Sequence, residues 1–216
     1  MCRFCEKFKD KDSTSLNIFD YTILETSNFV VVPTVGALVA GWVLIIAKQH
    51  YICAGELSPS LIKELEELKA KVKSIVEPIF GKLTIFEHGP AEPNLSVGCT
   101  VDHIHIHLAP LKFDLLTKTE SFIKLNWIKC DSLEYTNSFY DSGLSYLYLE
   151  LPNGLNYIAT DEKIPSQLFR QVIAKEIGKP NEYNWRQFDQ LDIVTSTIQI
   201  LEDSKVSRNE LVFTEV

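Results

Sequence analysis

The chain has 216 residues, of which 45% are hydrophobic and 11% aromatic, so it can bury a core and is not an intrinsically disordered protein. The formal net charge is −8, and neither half of the chain is basic. We therefore expect no broad basic surface for a nucleic-acid backbone, although a few imidazoles and backbone N–H groups would suffice for one phosphate.

The sequence does not predict membrane attachment or secretion. Its longest apolar run, residues 35–47, is too short to span a bilayer, and the polar first 15 residues lack the apolar segment of a secretory signal. The five cysteines, an odd number, favour a reducing compartment over a disulfide framework. The expected location is the cytoplasm.

The first half of the chain predicts strands around one long helix. Residues 16–32 alternate loosely and residues 42–46 are continuously apolar, and both patterns are typical of strands. The clearest helix spans residues 58–81, where Ser58 is suited to cap its start and Gly81 to end it. We expect this helix to pack through one apolar stripe.

A strand at residues 82–89 and a loop rich in Pro, Asn, Gly and Ser at residues 89–98 follow the helix. His88 stands at the junction of the two. We expect it to be an exposed turn residue and not part of a site.

Three of the five histidines stand at alternate positions of residues 101–110, VDHIHIHLAP. A strand places such positions on one face, so His103, His105 and His107 point one way and the apolar residues between them point the other. A solvent-facing polar stripe would explain a single histidine. Three in register favour a phosphate or metal site, because buried imidazoles without partners cost free energy.

The second half is less regular. Asn153 and Gly154 predict a hairpin, a short helix is expected to end at Gly178, and a last helix is expected from about residue 186 to residue 203. The fold class predicted for the whole chain is α+β: an antiparallel sheet with one long helix, extended by a smaller carboxy-terminal α/β portion.

The segment GCTVDHIHIHLAP, residues 98–110, resembles the histidine-triad (HIT) motif, His-φ-His-φ-His-φ-φ, in which φ is apolar. The resemblance implies a HIT-like fold and a nucleotide hydrolase or nucleotidyl transferase acting at the α-phosphate of a nucleoside monophosphate that carries a leaving group. His105 would be the nucleophile that forms a covalent nucleotidyl-histidine. A main-chain carbonyl near His103 would orient it, and His107 would stabilise charge on the phosphoryl group.

The loop before the triad also matches the family. The backbone N–H groups and the hydroxyl of this loop would cradle phosphate oxygens. The residues that the resemblance implies for this role are Gly98, Cys99 and Thr100.

Residues 36–51, GALVAGWVLIIAKQHY, are similar to the family's Gly-His-strand-Pro-Lys-x-His segment, with His50 at the final position. Trp42 stands where many members have a histidine, and Ala47 replaces the proline. Thr34 falls near the place of the usual ribose-binding acidic residue. These departures concern nucleoside recognition more than phosphoryl chemistry.

A Cys-x-x-Cys pair opens the sequence. Alone it is a weak motif, but some HIT relatives and the galactose-1-phosphate uridylyltransferases hold structural zinc with such a pair and two histidines. The ligands that the resemblance implies here are Cys2, Cys5, His50 and His103.

Residues 144–187 resemble the carboxy-terminal region of CwfJ-like proteins, which accompany RNA lariat debranching. That family carries a Gln-φ-x-Arg segment followed by Asp-Trp-Arg, and Gln167, Arg170 and Asn184-Trp185-Arg186 occupy those places. Gln167 and Arg170 are candidate phosphate contacts. Pairing of these arginines with the acidic residues of the same half is the alternative.

Together the resemblances imply a HIT-like catalytic domain over residues 1–115 and a CwfJ-like extension over residues 116–216 that packs on it. Dinucleoside polyphosphates, nucleoside phosphoramidates, adenylyl sulfate and sugar nucleotides all fit as substrates. We expect neither membrane nor nucleic-acid partners, and a homodimer is left open. Two rival functions also stay open: a non-catalytic partner in RNA processing that senses a nucleotide or RNA end, and a zinc-stapled scaffold.

Overall fold

The computed structural model describes residues 2, 4, 5, 17–95, 97, 101–161 and 164–212, with side chains up to residue 204. The predicted phosphate loop, Gly98, Cys99 and Thr100, lies outside the described residues. Within the described part of the chain, no helix is long and apolar enough to cross a bilayer.

The described residues contain eight strands and five α-helices. The strands are β1 (Leu24–Glu25), β2 (Phe29–Pro33), β3 (Val43–Ala47), β4 (Leu83–Gly89), β5 (His105–Pro110), β6 (Ile128–Cys130), β7 (Tyr146–Glu150) and β8 (Asn156–Ala159). The helices are α1 (Pro59–Phe80), α2 (Leu115–Phe122), α3 (Thr136–Asp141), α4 (Leu168–Glu176) and α5 (Leu191–Val212). The strands form one antiparallel sheet in the order β1-β2-β3-β5-β4-β7-β8-β6, which confirms the α+β prediction.

Helix α1 forms where its capping residues predict it. The Ser58 hydroxyl accepts the backbone N–H of Leu61, Pro59 occupies the first turn, and Gly81 ends the helix with a φ of 103° that favours glycine. The apolar stripe, with Leu65 at its centre, is buried against the sheet. The predicted long helix is therefore confirmed.

The two faces of the sheet are covered differently. One face packs on α1 in a continuous apolar core that includes Val31, Ile45, Ile85, Ile106 and Tyr146. The other face packs on α2, α4 and α5 through a second core that includes Phe86, Leu147, Leu149, Leu168 and Phe169. Since side chains alternate along a strand, β5 gives its apolar residues to the α1 face and its histidines to the opposite face.

The sheet continues from the first half of the chain into the second. Strand β4 pairs with β7, with Ile85 opposite Glu150, and β7 and β8 form the predicted hairpin, in which Gly154 has a φ of 81°. The hairpin prediction is thus confirmed. The domain boundary between residues 115 and 116 stays a prediction.

The start of the last helix differs from the sequence prediction, and α2, β6 and α3 are elements that the sequence analysis did not predict. The last helix begins at Leu191 and not near residue 186, because Gln190 has a left-handed φ of 54° that a continuous helix does not contain. Helix α2 was not predicted, although Asp114 caps its start by accepting the N–H of Thr117. A capping aspartate before a short apolar stretch is therefore a signal that the sequence carries.

Candidate active site and metal cluster

A cavity of about 530 Å³ lies on the sheet face opposite α1, over the central strands β3, β5 and β4. Its floor holds His105 and His107 from β5 and His88 from β4. The side toward β2 and β3 is mainly apolar. The side toward α4 carries arginines from the second half of the chain.

His105 is held in one tautomer by the backbone. Its Nδ1 lies 2.7 Å from the carbonyl oxygen of His103, and because a carbonyl only accepts, Nδ1 carries the proton. The lone pair of Nε2 is then available to an electrophile. Burial, together with the nearby Arg170, lowers the pKa of His105 below its ordinary value, against the opposing effect of this hydrogen bond. The imidazole is therefore neutral at pH 7, the form that can act as a nucleophile.

His107 is held in the opposite tautomer. The indole Nε1 of Trp42 donates to Nδ1 of His107 at 3.1 Å, and since an indole N–H only donates, Nδ1 is unprotonated and Nε2 carries the proton. The ring of Phe86 stacks on the imidazole at 4.7 Å. Burial holds the pKa of His107 well below its ordinary value. His107 is thus a neutral hydrogen-bond donor through Nε2.

His103 faces away from the cavity floor toward the amino terminus. Its Nε2 donates to the carbonyl oxygen of Ala47 at 2.7 Å, which leaves the lone pair of Nδ1 free. Burial lowers the pKa of His103 to about 4, so the ring is neutral and able to bind a metal. The three histidines therefore have three different environments.

The predicted metal ligands lie together. Nδ1 of His103 is 3.4 Å from Sγ of Cys2, 3.6 Å from Sγ of Cys5 and 3.3 Å from Nδ1 of His50. All four ligand atoms lie within 4.8 Å of one another. In a tetrahedral zinc site with two thiolates and two imidazoles, ligand atoms are about 3.3 to 3.8 Å apart. The cluster could therefore hold a metal ion.

The second half of the chain contributes cations to the cavity. Arg170, 3% exposed, donates through Nε to the carbonyl oxygen of Tyr183 at 2.8 Å and through Nη2 to the carbonyl oxygen of Gly36. Arg186 also lines the cavity. Gln167 is buried but is not among the described residues that line the cavity. Of the two candidate phosphate contacts, only Arg170 is at the site.

The apolar side offers a surface for a flat ring. Val32 and Leu44 from β2 and β3, with Phe4 and Phe19, line this part of the cavity. Thr34 lies beside them, 2% exposed, and its hydroxyl has no hydrogen-bond partner within the described ranges. The cavity can therefore receive a molecule with an apolar ring at one end and negative charge at the other.

The prediction for His88 is wrong. It is 4% exposed, lies within β4 and lines the cavity, because the strand continues to Gly89 and pairs with β7, with His88 opposite Leu147. The alternation of Phe86 and His88 in the strand was the signal that the two side chains share a face.

The fold and this triad of histidines define a protein of the HIT superfamily. Residues 1–122 match the family described as "Scavenger mRNA decapping enzyme C-term binding". The match covers more than half of the chain, and the chain belongs to that family. No curated protein matches the sequence.

Several solved structures are similar. A hypothetical protein from Leishmania major is 24% identical, with a TM-score of 0.39, over 52% of this chain and 74% of that one. A hypothetical histidine triad nucleotide-binding protein from Sulfolobus tokodaii is 21% identical, with a TM-score of 0.38, over 52% and 71%. A Hit-like protein involved in cell-cycle regulation from Bartonella henselae is 17% identical, with a TM-score of 0.36, over 57% and 85%.

Proposed function

We propose that the protein is a nucleotide hydrolase or nucleotidyl transferase that acts at the α-phosphate of a nucleotide through a covalent intermediate on His105. One observation carries the proposal: Nδ1 of His105 donates to the His103 carbonyl, which leaves the Nε2 lone pair of a neutral, cavity-lining imidazole free to attack. Membership of a HIT family supports a nucleotide-directed function at the coarser level.

In the first step, Nε2 of His105 forms a bond to the α-phosphorus, and the bond from phosphorus to the leaving group breaks with its electron pair going to the leaving group. The positive charge that develops on the imidazole is stabilised by the Nδ1–H bond to the His103 carbonyl. His107 donates through Nε2 to a phosphoryl oxygen. Arg170 supplies a fixed positive charge near the same phosphate.

In the second step, the oxygen of water or of another acceptor attacks the phosphorus and gives up its proton, which balances the electron pair that the leaving group took in the first step; the nitrogen–phosphorus bond breaks, and its electron pair returns to Nε2 of His105. A water molecule releases the nucleoside monophosphate, whereas another acceptor carries the nucleotidyl group away. In this proposal the base lies on the apolar side, near Val32 and Leu44, and the leaving group lies toward Arg186. Residues 116–216 would thus complete a site that the triad domain begins.

We also propose that the cluster of Cys2, Cys5, His50 and His103 binds structural zinc, because its distances and its two-thiolate, two-imidazole donor set suit that ion. Bound zinc would tie the amino terminus to the strand that carries the nucleophile. Purified full-length protein should contain about one zinc per chain, and Cys5→Ser should lose the metal and lower the free energy of unfolding. A metal-free chain whose stability does not respond to added zinc would contradict this.

The test of the catalytic proposal is release of nucleoside monophosphate from a panel of dinucleoside polyphosphates, nucleoside phosphoramidates, adenylyl sulfate and sugar nucleotides. Wild type should turn over at least one of them, and His105→Ala should lose at least ~1,000-fold while its circular dichroism stays unchanged. Quenching with alkaline detergent during turnover should trap a nucleotidyl group on His105, because the nitrogen–phosphorus bond of such an intermediate is stable to base and labile to acid.

Binding of nucleotide by wild type without any release would overturn the catalytic proposal. It would favour the rival function, a non-catalytic partner that senses a nucleotide or an RNA end. Metal binding without nucleotide affinity would favour a zinc-stapled scaffold.

A further inference from the structure

His88 is a histidine of the cavity that the mechanism above does not use. We propose that His88 is a ligand-binding residue whose imidazole N–H donates a hydrogen bond to a phosphate oxygen of the nucleotide held at His105; this rests on the proposed function.

The position of His88 follows from strand pairing. The β4–β5 ladder ends with Phe86 opposite His107. In the next step along the same face, β4 reaches His88 and β5 reaches His105, because side chains on one face of a strand recur every second residue. His88 is therefore the β4 side chain that lies opposite His105, the candidate nucleophile, on the cavity face of the sheet.

The described residues around His88 pack against its ring but form no hydrogen bond with it. The ring lies at 5.0 Å from Phe169 and at 6.4 Å from Phe86, both measured between ring centroids. Neither Nδ1 nor Nε2 has a hydrogen-bond partner among the residues that the structure describes, although the side chain is only 4% exposed. A buried polar group without a partner is unusual in a folded protein, and a bound ligand is one explanation for it.

The charges around His88 favour an anionic ligand. Burial, with the nearby His105 and Arg170, lowers the pKa of His88 to about 3, so the ring is neutral and has one N–H donor and one lone pair. The cationic guanidinium of Arg170 also lines the cavity on this side. A phosphate oxygen would accept from the His88 N–H while it is attracted by Arg170, whereas the described residues on the apolar side of the cavity include no such pair.

A role in packing alone makes the opposite prediction about binding. If His88 only fills space between the two phenylalanines, an apolar ring in its place would leave ligand affinity unchanged. Replacement of an unpartnered buried polar group by an apolar one is neutral or stabilising for the free protein in either case. Affinity, and not stability, is thus the measurement that separates the two roles.

The experiment measures the affinity of the full chain for AMP, GMP, CMP and UMP by calorimetry and continues with the tightest. His88→Phe should bind that nucleotide about 10- to 100-fold more weakly, since a hydrogen bond to a charged group is lost, while its unfolding midpoint stays the same or rises. His88→Gln retains an N–H donor and should recover most of the affinity. His88→Leu serves as a second apolar variant should phenylalanine not fit.

Thr84→Val is the matched control. Thr84 lies on the same strand and face, and its buried hydroxyl also has no partner in the described part of the chain, but it does not line the cavity. This variant should bind the nucleotide like wild type.

Three outcomes would overturn the inference. Wild-type affinity in both apolar variants would show that His88 only packs, and the proposed function would stand. Equal weakening by Thr84→Val would show that β4 had changed shape and that no donor had been lost. If wild type binds none of the four nucleotides, the proposed function fails together with the role of His88.

Discussion

The two faces of the central sheet differ in how completely the hydrogen bonds of their buried polar groups are satisfied. On the α1 face, Glu87 accepts hydrogen bonds from the backbone N–H of Ala54 and the hydroxyl of Tyr146, each at 2.7 Å. On the cavity face, the side chains of Thr34 and His88 are equally buried and line the cavity, yet they have no hydrogen-bond partner within the described residues. The first pattern is expected of a face that stabilises the fold, and the second of a face that a ligand completes.

This difference predicts which buried polar groups should affect stability when they are replaced and which should affect function. Removal of one partner from a satisfied buried pair leaves the other partner desolvated and destabilises the fold. Removal of an unpartnered group leaves nothing unsatisfied. Substitutions of the paired groups on the α1 face should therefore lower the free energy of unfolding, and substitutions of the unpartnered groups that line the cavity should change binding or turnover.

The largest effect is expected at Glu150, which pairs with Lys69 on the α1 face at 2.6 Å. Lys69 is 2% exposed, and burial alone would raise the pKa of Glu150, but Lys69 and Lys73 hold it below its ordinary value. Glu150→Ala leaves the buried ammonium of Lys69 with only the more exposed Glu66. We expect a loss of about 3 kcal/mol in the free energy of unfolding by urea at pH 7.

Lys73→Ala is the matched control, because Lys73 pairs with the same carboxylate from a more exposed position. It should cost less than about 1 kcal/mol. A similarly small loss in Glu150→Ala would mean that Glu66 alone satisfies Lys69, contrary to the prediction.

A smaller, pH-dependent effect is expected at Glu87. Burial raises the pKa of Glu87 from 4.5 to about 7, although the bonds from Tyr146 and Ala54 oppose the rise. The folded state therefore keeps a proton that the unfolded state releases above pH 4.5. Stability should decrease as the pH rises from about 5 to 7, by at most ~3 kcal/mol, and then become level.

Glu87→Gln resembles the protonated form and should lose this dependence, so its unfolding free energy should change less than that of wild type between pH 5 and pH 7.5. The measurement is a series of urea titrations across this range. Parallel curves for the two proteins would rule out a raised pKa at Glu87.

The sequence predicted what depends on local patterns. Helix α1 was predicted with both ends because Ser58 and Gly81 are capping residues. The shared face of His105 and His107 followed from alternation within a strand, whereas His103 precedes β5 and lies in the metal cluster. The His103 carbonyl as the partner of His105 came from the resemblance, and the distance of 2.7 Å fits that expectation.

Contacts between distant strands could not be predicted in the same way. The bond from Trp42 to His107 depends on the pairing of β3 with β5, which joins residues 65 positions apart. The burial of His88 depends on β7, a strand from the second half that covers the edge of β4. No periodicity within a short window contains that information, and the local pattern around His88 predicts an exposed turn instead.

The smallest effect of the series is expected at Trp42, on the cavity face. Trp42→Phe removes the N–H that keeps Nδ1 of His107 unprotonated, so the proton of His107 is no longer confined to Nε2. If His107 acts only when it donates through Nε2, kcat should fall about 10-fold with little change in KM.

Trp42→His restores an N–H donor and should recover part of the loss. If kcat is unchanged in Trp42→Phe, the reaction at His105 does not need a fixed tautomer of His107, and the prediction is wrong. Stability should fall in both variants, since each leaves space beside Phe86, so the difference in kcat between them isolates the hydrogen bond.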